Sequence, residues 1–181
     1  MRCFLLVGKE SSGSRLLSRV FENSGCWAGA KDDLHADYHL RAWIGSGTAG
    51  ADSFMAFLNQ FEFRMAPQNI VYRTHPSPNY HPHLSVVVDK LRDVGYEIWW
   101  IVLLRRPQRW LKLTPACDPN EIWYHFRNIF RLALDEEQIA FWDNSLCFLD
   151  PERYLSEMSR LLGLELRSPE LIWDADKRWI E

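Results

Sequence analysis

Short, almost wholly apolar segments alternate with segments of helical periodicity along this chain, and that alternation is the strongest constraint on its fold. The clearest apolar segment is Ile98–Leu104, which is rich in β-branched and aromatic residues and ends at two arginines. Strands without polar residues must be covered on both faces, as they are in a parallel sheet between layers of helices. The sequence therefore predicts a three-layer α/β domain with a mainly parallel central sheet.

Four strands and five helices are expected in one domain that covers residues 1–181. The predicted strands are 2–7, 69–73, 97–104 and 146–149. The predicted helices are 15–23, 52–63, 83–94, 121–142 and 151–162. The last helix has the strongest end signals, because Asp150 stands at the cap, Pro151 at the first position and Gly163 after the end.

Composition and charge exclude several classes of partner. A net charge of −3 argues against a general nucleic-acid-binding surface. No apolar stretch reaches the length of a membrane span, and the N-terminal one is too short for a signal-peptide core. The four cysteines are widely spaced, which argues against a zinc site or a disulfide framework. We expect a cytoplasmic protein with free thiols and neither a membrane nor a nucleic-acid partner.

The nine tryptophans are too many for the interior of a domain this small. Some of them must lie near the surface, where tryptophan is enriched in subunit contacts and ligand clefts. We favour a distribution between the core and a homodimer contact.

The loop after the first predicted strand, Gly8–Arg15, has the composition of an anion site. Backbone N–H groups in a strand-to-helix loop, together with the helix N-terminus, attract phosphate. Gly8 and Gly13 have the spacing of the glycines in GxxxxGK[ST], but Ser14 and Arg15 replace the lysine and the hydroxyl residue. We interpret the segment as a phosphate-binding loop in a P-loop NTPase-like domain, without a metal–ATP site. The alternative is a glycine-containing turn that binds nothing.

Polar residues also follow the second and third predicted strands. Ligands of parallel sheets bind at the carboxyl ends of the strands. His75 is a candidate general base there, because the imidazole pKa lies near neutrality. Arg105 and Arg106 suit bidentate recognition of a phosphate. The alternatives are a surface histidine and a solvated cationic loop. No carboxylate or cysteine accompanies the histidines at ligand spacing, so no metal is predicted.

These three segments, in this order, resemble the sulfotransferases whose donor is 3′-phosphoadenosine 5′-phosphosulfate (PAPS). The first loop of that family reads roughly K-S-G-T-T-x-L, and Ser12–Leu17 follows it. The family signatures K-[ST]-H-x-P and R-[DN]-P resemble Arg73–Pro76 and Arg105–Pro107. Phe148–Pro151 and Leu161–Leu164 resemble the last strand of the family and its F-L-G-L helix end.

The resemblance implies how the donor would be bound. The loop residues that would hold its 5′-phosphosulfate are Ser11, Ser12, Gly13, Ser14 and Arg15. Its 3′-phosphate would be bound by Arg105 or Arg106, with Thr114 as the nearest hydroxyl residue.

The resemblance also implies a reaction without a metal. His75 would be the catalytic base. Ser11 stands where the family has a lysine, so Lys9 or Arg15 would supply the catalytic cation. The sulfuryl group would move to a hydroxyl or amine of a small-molecule or glycan acceptor, which the sequence does not define.

Two other functions fit the same fold. A P-loop kinase of small molecules or nucleotides would use the glycine loop and the arginines for phosphoryl transfer. It would, however, lack the Walker lysine and an acidic residue at the end of Ile98–Leu104. The second alternative is a binding protein on the same scaffold that has no catalytic activity.

Overall fold

The computed structural model describes residues 1–8, 12–27, 69–74, 88–89, 91–104, 120, 123–124, 127, 130–131, 138–143, 146–167 and 170. The strands of this part are β1 (Arg2–Val7), β2 (Ile70–Thr74), β3 (Glu97–Leu104) and β4 (Ile139–Asp143). Its helices with defined ends are α1 (Ser14–Asn23) and α2 (Pro151–Leu162), and a 3-10 turn spans Leu146–Phe148. Residues 88–89, 91–93, 120, 123–124, 127, 130–131 and 170 are also helical.

The four strands form one sheet in the order β2-β1-β3-β4, and every pairing is parallel. Leu5 in β1 lies opposite Tyr72 in β2 and Trp100 in β3. Since β1 and β2 are neighbours although a long segment separates them in sequence, the chain must cross over between them. The predicted α/β class with a parallel sheet is confirmed.

Alternate side chains of the strands enter two separate cores, one on each face of the sheet. Cys3, Leu5 and Val7 pack on the face that also holds Val88 and Leu91. The other face buries the neighbouring residues of β1 and β3 against α1 and α2, and its fully buried members include Phe4, Leu6, Phe21, Ile101, Leu103, Met158 and Leu162. Helices therefore lie on both faces, which gives the three layers expected from strands without polar residues.

Both ends of α2 are built as the sequence predicts. The carboxylate of Asp150 accepts a hydrogen bond of 3.0 Å from the backbone N–H of Arg153. Gly163 ends the helix with a φ of 56°, a conformation that costs a residue with a side chain more than it costs glycine. The guanidinium of Arg2 donates to the carbonyls of Leu162 and Gly163, so it places a positive charge at the helix C-terminus and joins α2 to β1.

The prediction of the fourth strand at 146–149 is wrong. The strand lies earlier, at Ile139–Asp143, and Leu146–Phe148 forms the 3-10 turn that leads into α2. The predicted helix 121–142 is accordingly too long, since its last four residues belong to β4. The error arose because the apolar segment Ile139–Trp142 continues the pattern of the predicted helix. A short apolar run has no periodicity that distinguishes a strand from a buried helix.

The remaining predicted helices are confirmed only where they are described. Helix 83–94 is helical at each described position up to residue 93, and Gly95 follows it with a φ of 88°. Helix 52–63 lies outside the described residues. Within the described residues, no helix is both long and apolar enough to cross a membrane.

Candidate functional site

The carboxyl ends of the strands meet at one edge of the sheet. Val7, the last residue of β1, lies opposite Thr74 at the end of β2 and opposite Val102 in β3. β3 continues for two residues beyond that level, and its last residue, Leu104, lies opposite Asp143. The segments that follow β1, β2 and β3 therefore start from a common edge, where parallel α/β sheets bind their ligands.

The loop after β1 turns back over the end of its own strand. A β-carbon at Gly8 would lie 2.9 Å from the Cβ of Ser12 and 3.2 Å from the Cβ of Leu103, and it would overlap the Ser12 hydroxyl. Ser12 and Ser14 are both buried, although each has a polar side chain. Only glycine fits at Gly8, because the loop curls closely enough to occupy the space of a methyl group.

The turn from this loop into α1 leaves the start of the helix without a side-chain cap. Gly13 has a φ of 84° and stands at the N-cap of α1, where no side chain caps the helix. Its carbonyl accepts the first helical hydrogen bond, from Leu17 N at 3.1 Å. The N–H groups of Gly13 and Ser14 donate to no carbonyl of the described residues. N–H groups at a helix start without protein acceptors are the groups that bind phosphate in glycine loops.

Most of the predicted site residues lie beyond the described part. Those outside it are Lys9, Ser11, His75, Arg105, Arg106 and Thr114. Arg15 is described by its backbone alone, in the first turn of α1. The roles assigned to all of these residues therefore stay predictions. The structure does show where two of the predicted segments begin. His75 follows Thr74, the last residue of β2, and Arg105 follows Leu104, the last residue of β3.

One carboxylate at this edge was missed by the sequence analysis. Asp143 ends β4, and the mistaken helix 121–142 hid its position. The available signal was a charged residue directly after the apolar Ile139–Trp142, as Arg105 follows the apolar β3. Two strand spacings separate β4 from β1, which is about 10 Å, so Asp143 does not adjoin the glycine loop.

Beside Asp143 lies an open cavity of about 500 Å³ between β4 and α2. The residues that line it are Phe141, Trp142, Asp143, Leu146, Leu149, Asp150, Arg153, Tyr154 and Glu157. The Trp142 and Tyr154 rings meet edge to face at 5.6 Å, and burial raises the pKa of the Tyr154 hydroxyl well above its ordinary value. The described residues hold no group of three or more His, Cys, Asp or Glu side chains suited to a metal ion.

Two solved sulfotransferase structures have the fold of this chain. The sulfotransferase domain of the olefin synthase of Synechococcus PCC 7002 aligns with a TM-score of 0.55 and 16% identity, over 97% of this chain and 78% of that one. The sulfotransferase domain from the curacin biosynthetic pathway aligns with a TM-score of 0.56 and 14% identity, over the same shares of the two chains.

A sugar kinase from Janibacter sp. HTCC2649 aligns less well, with a TM-score of 0.49 and 14% identity over 94% of this chain and 98% of that one. No family model matches the sequence, and no curated protein matches it significantly. At these identities the similarity establishes a shared fold. The chain has the α/β fold of sulfotransferase domains.

Proposed function

We propose that this chain is a sulfotransferase-like enzyme that moves the sulfuryl group of PAPS to an acceptor hydroxyl or amine. The observation that carries the proposal is the common edge at which β1, β2 and β3 end. The motif segments Gly8–Arg15 and Arg105–Pro107 start directly after β1 and β3, and Arg73–Pro76 starts with the last two residues of β2. The fold shared with sulfotransferase domains supports the same function independently of the motifs.

The loop between β1 and α1 fits the anionic end of the donor. Gly8 allows the loop to fold closely back onto Ser12, and the N–H groups of Gly13 and Ser14 have no acceptor among the described residues. A phosphosulfate would accept hydrogen bonds from these groups at the positive end of α1. Ser11, Ser12 and Arg15, which lies in the first turn of α1, complete the proposed 5′ subsite.

The proposed 3′ subsite uses the segment after β3. Arg105 or Arg106 would form charge-assisted hydrogen bonds with the 3′-phosphate, with Thr114 adding a hydroxyl donor. This contact matters because it distinguishes PAPS from ordinary adenine nucleotides, which lack the 3′-phosphate.

In the proposed reaction, the acceptor oxygen or nitrogen attacks sulfur as the bond from sulfur to the phosphate oxygen breaks. His75 takes the proton that the acceptor loses, and adenosine 3′,5′-bisphosphate (PAP) is the second product. Lys9 or Arg15 neutralises the charge that develops on the departing phosphate oxygen. These steps balance in protons and charge without a metal ion, and the acceptor is a small molecule or a glycan.

A transfer assay tests the proposal. PAPS labelled in its sulfuryl group is incubated with the chain and with pooled acceptors sorted by class: phenols, aliphatic alcohols, amines and glycans. We expect labelled product in at least one class from the unmodified chain, and its loss with His75→Asn. If no acceptor class gives labelled product although the unmodified chain binds PAP, the chain is not a catalyst of this transfer. That result would favour the binding-protein alternative.

A further inference from the structure

The cavity between β4 and α2 has the size and the walls of a small-molecule binding site. Its volume of about 500 Å³ lies within the roughly 300–1,000 Å³ of ligand pockets, which are lined mainly by apolar and aromatic side chains with a few polar groups. Phe141, Trp142 and Tyr154 supply aromatic walls, and Leu146 and Leu149 supply aliphatic ones. The proposed transfer reaction uses none of these residues.

The cavity lies at the carboxyl end of β4, along the edge of the strand that faces away from β3. Because side chains alternate along a strand, Phe141 and Asp143 are on one face of the sheet and Trp142 is on the other, yet all three line the cavity. No residue of β3 is among the described residues that line it. The carbonyl of Gln138 accepts a hydrogen bond from Trp100 N in β3, so by alternation the carbonyl of Phe141 points away from β3. This edge therefore offers a backbone acceptor beside the side chains.

Ring contacts hold the aromatic walls in place. Phe130 stacks on Phe141 with ring centroids 5.5 Å apart and an angle of 28° between the rings, which covers one face of the Phe141 ring. Phe141 is nevertheless 44% exposed, so its other face and its edge stay open. Trp142 meets the buried Tyr154 edge to face. Walls that are fixed before binding reduce the conformational entropy that a ligand must overcome.

The polar part of the lining carries an excess of negative charge. The carboxylates are those of Asp143, Asp150 and Glu157, and one guanidinium, that of Arg153, lies among them. Arg153 is matched within the lining, because its Nε lies 2.8 Å from Glu157 Oε1. The N-terminus of α2 adds roughly half a positive charge, which Asp150 meets by accepting from Arg153 N through one of its two oxygens. More negative than positive charge remains, and it would repel phosphate-bearing ligands such as PAPS.

From these observations we propose that the cavity binds an organic ammonium ion with an aromatic or alkyl body. The body packs between the aromatic and leucine side chains. The ammonium group lies among the carboxylates and within about 6 Å of an aromatic ring, the distance of a cation–π contact. An anionic ligand would be repelled, and a neutral one would leave the negative charge uncompensated. The site is distinct from the donor loop, because two strand spacings separate β4 from β1.

Calorimetric titration of the full chain with three indoles of similar size tests the ligand class. Tryptamine is cationic at neutral pH, tryptophol is neutral and indole-3-propionate is anionic. We expect tryptamine to bind with a dissociation constant on the order of 1 mM or below, at least about tenfold more tightly than tryptophol, and indole-3-propionate to bind most weakly. No binding of tryptamine at about 10 mM, or equal affinities for the three indoles, would overturn the proposal. The result does not depend on transfer activity, because only binding is measured.

Two substitutions with opposite expected effects locate the bound tryptamine. Asp150→Asn removes a negative charge but keeps a good N-cap side chain, so the affinity should fall by about threefold. Arg153→Gln removes the guanidinium and leaves Glu157 unmatched, so the affinity should rise by about threefold. Glu152→Gln is the matched control, because Glu152 is also in the first turn of α2 but is not among the described residues that line the cavity. Equal losses in Asp150→Asn and Glu152→Gln, or a loss in Arg153→Gln, would contradict a site in this cavity.

Phe141→Leu tests the aromatic wall. Leucine keeps an apolar side chain in β4 but has no ring face, so tryptamine should bind about threefold more weakly and tryptophol should lose less. Leu161→Ala is the control, because Leu161 is also exposed but is not among the described residues that line the cavity. Circular dichroism checks that each variant keeps its fold. Unchanged tryptamine affinity in a folded Phe141→Leu variant would contradict a site at this wall.

Discussion

Val7 in β1 lies directly opposite Thr74 in β2, so these two parallel strands end together at the carboxyl edge of the sheet. Gly8 begins the loop that follows the first strand, and His75 follows the second. Neighbouring strands lie about 4.8 Å apart. We therefore expect the base and the donor loop of the proposed enzyme to be neighbours across the β1–β2 pair.

His75→Ala or His75→Asn should lower turnover by about a hundredfold or more, because neither variant accepts the acceptor's proton. Donor affinity, measured with PAP by calorimetry, should hardly change. The controls are His81→Asn and His83→Asn, which replace histidines outside the motif and should retain activity. Equal losses from all three substitutions would assign His75 no special role.

Gly8→Ala should weaken PAP binding by at least about tenfold, because its methyl group would overlap Ser12 and displace the loop. Gly25→Ala is the matched control. Gly25 has a φ of 89° with no atom within 4 Å of an added β-carbon, so alanine there costs stability, about 1 kcal/mol, without touching the loop. Calorimetry measures the affinity and urea titration the stability. Unchanged PAP affinity in Gly8→Ala would exclude this loop as the donor site.

Arg105→Ala should weaken the binding of PAP by roughly 2–5 kcal/mol if the arginine binds the 3′-phosphate through a buried charge-assisted pair. Adenosine 5′-phosphate, which has no 3′-phosphate, should bind the variant and the unmodified chain almost equally. Arg106→Ala is the parallel substitution, since Thr114 has the family spacing from Arg106. If each variant loses affinity equally for both nucleotides, these arginines stabilise the fold and do not form the 3′ subsite.

The cysteines predict how stability depends on alkaline pH. The described ones, Cys3, Cys26 and Cys147, are free and buried. Burial, partly offset by Arg2, raises the pKa of the Cys26 thiol from 9.0 to about 11, and burial raises the pKa of Cys3 as well.

Because the unfolded chain loses these protons first, the thiols' contribution to stability is complete below pH 9 and is lost as the pH rises towards 11. The free energy of unfolding, measured by urea titration between pH 8.5 and 10.5, should fall less steeply in Cys26→Ala than in the unmodified chain. Parallel slopes would contradict the raised pKa.

How far the sequence predicts this fold depends on how each segment is bounded. β1 and β3 agree with the predicted bounds because each is apolar, short and followed by charged or glycine residues. α2 agrees because Asp150, Pro151 and Gly163 act locally at its ends. The prediction of β4 failed because no glycine or proline stands between Arg131 and Ile139 to mark a boundary, and tertiary pairing with β3 decides the strand's conformation.

The candidate site is predictable to a different degree. The glycine loop was found from the spacing of Gly8 and Gly13, since close backbone approach and positive φ both select glycine. Asp143 could not be identified as a candidate site residue until its strand was assigned. A carboxylate at the carboxyl edge of a parallel sheet indicates a possible ligand site, whereas one within a predicted helix does not. The exposure of Phe130 also escaped prediction, since an aromatic residue in a helical pattern is ordinarily assigned to the core.

Calorimetric titration with PAP and, separately, with Mg-ATP tests the central claim most directly. The account predicts saturable binding of PAP without added metal, and binding of Mg-ATP that is weaker by at least about tenfold, because the loop lacks the Walker lysine and magnesium-binding hydroxyl. Tight binding of Mg-ATP with none of PAP would contradict the account and identify a kinase-like site, and binding of neither ligand would leave a fold without the proposed donor.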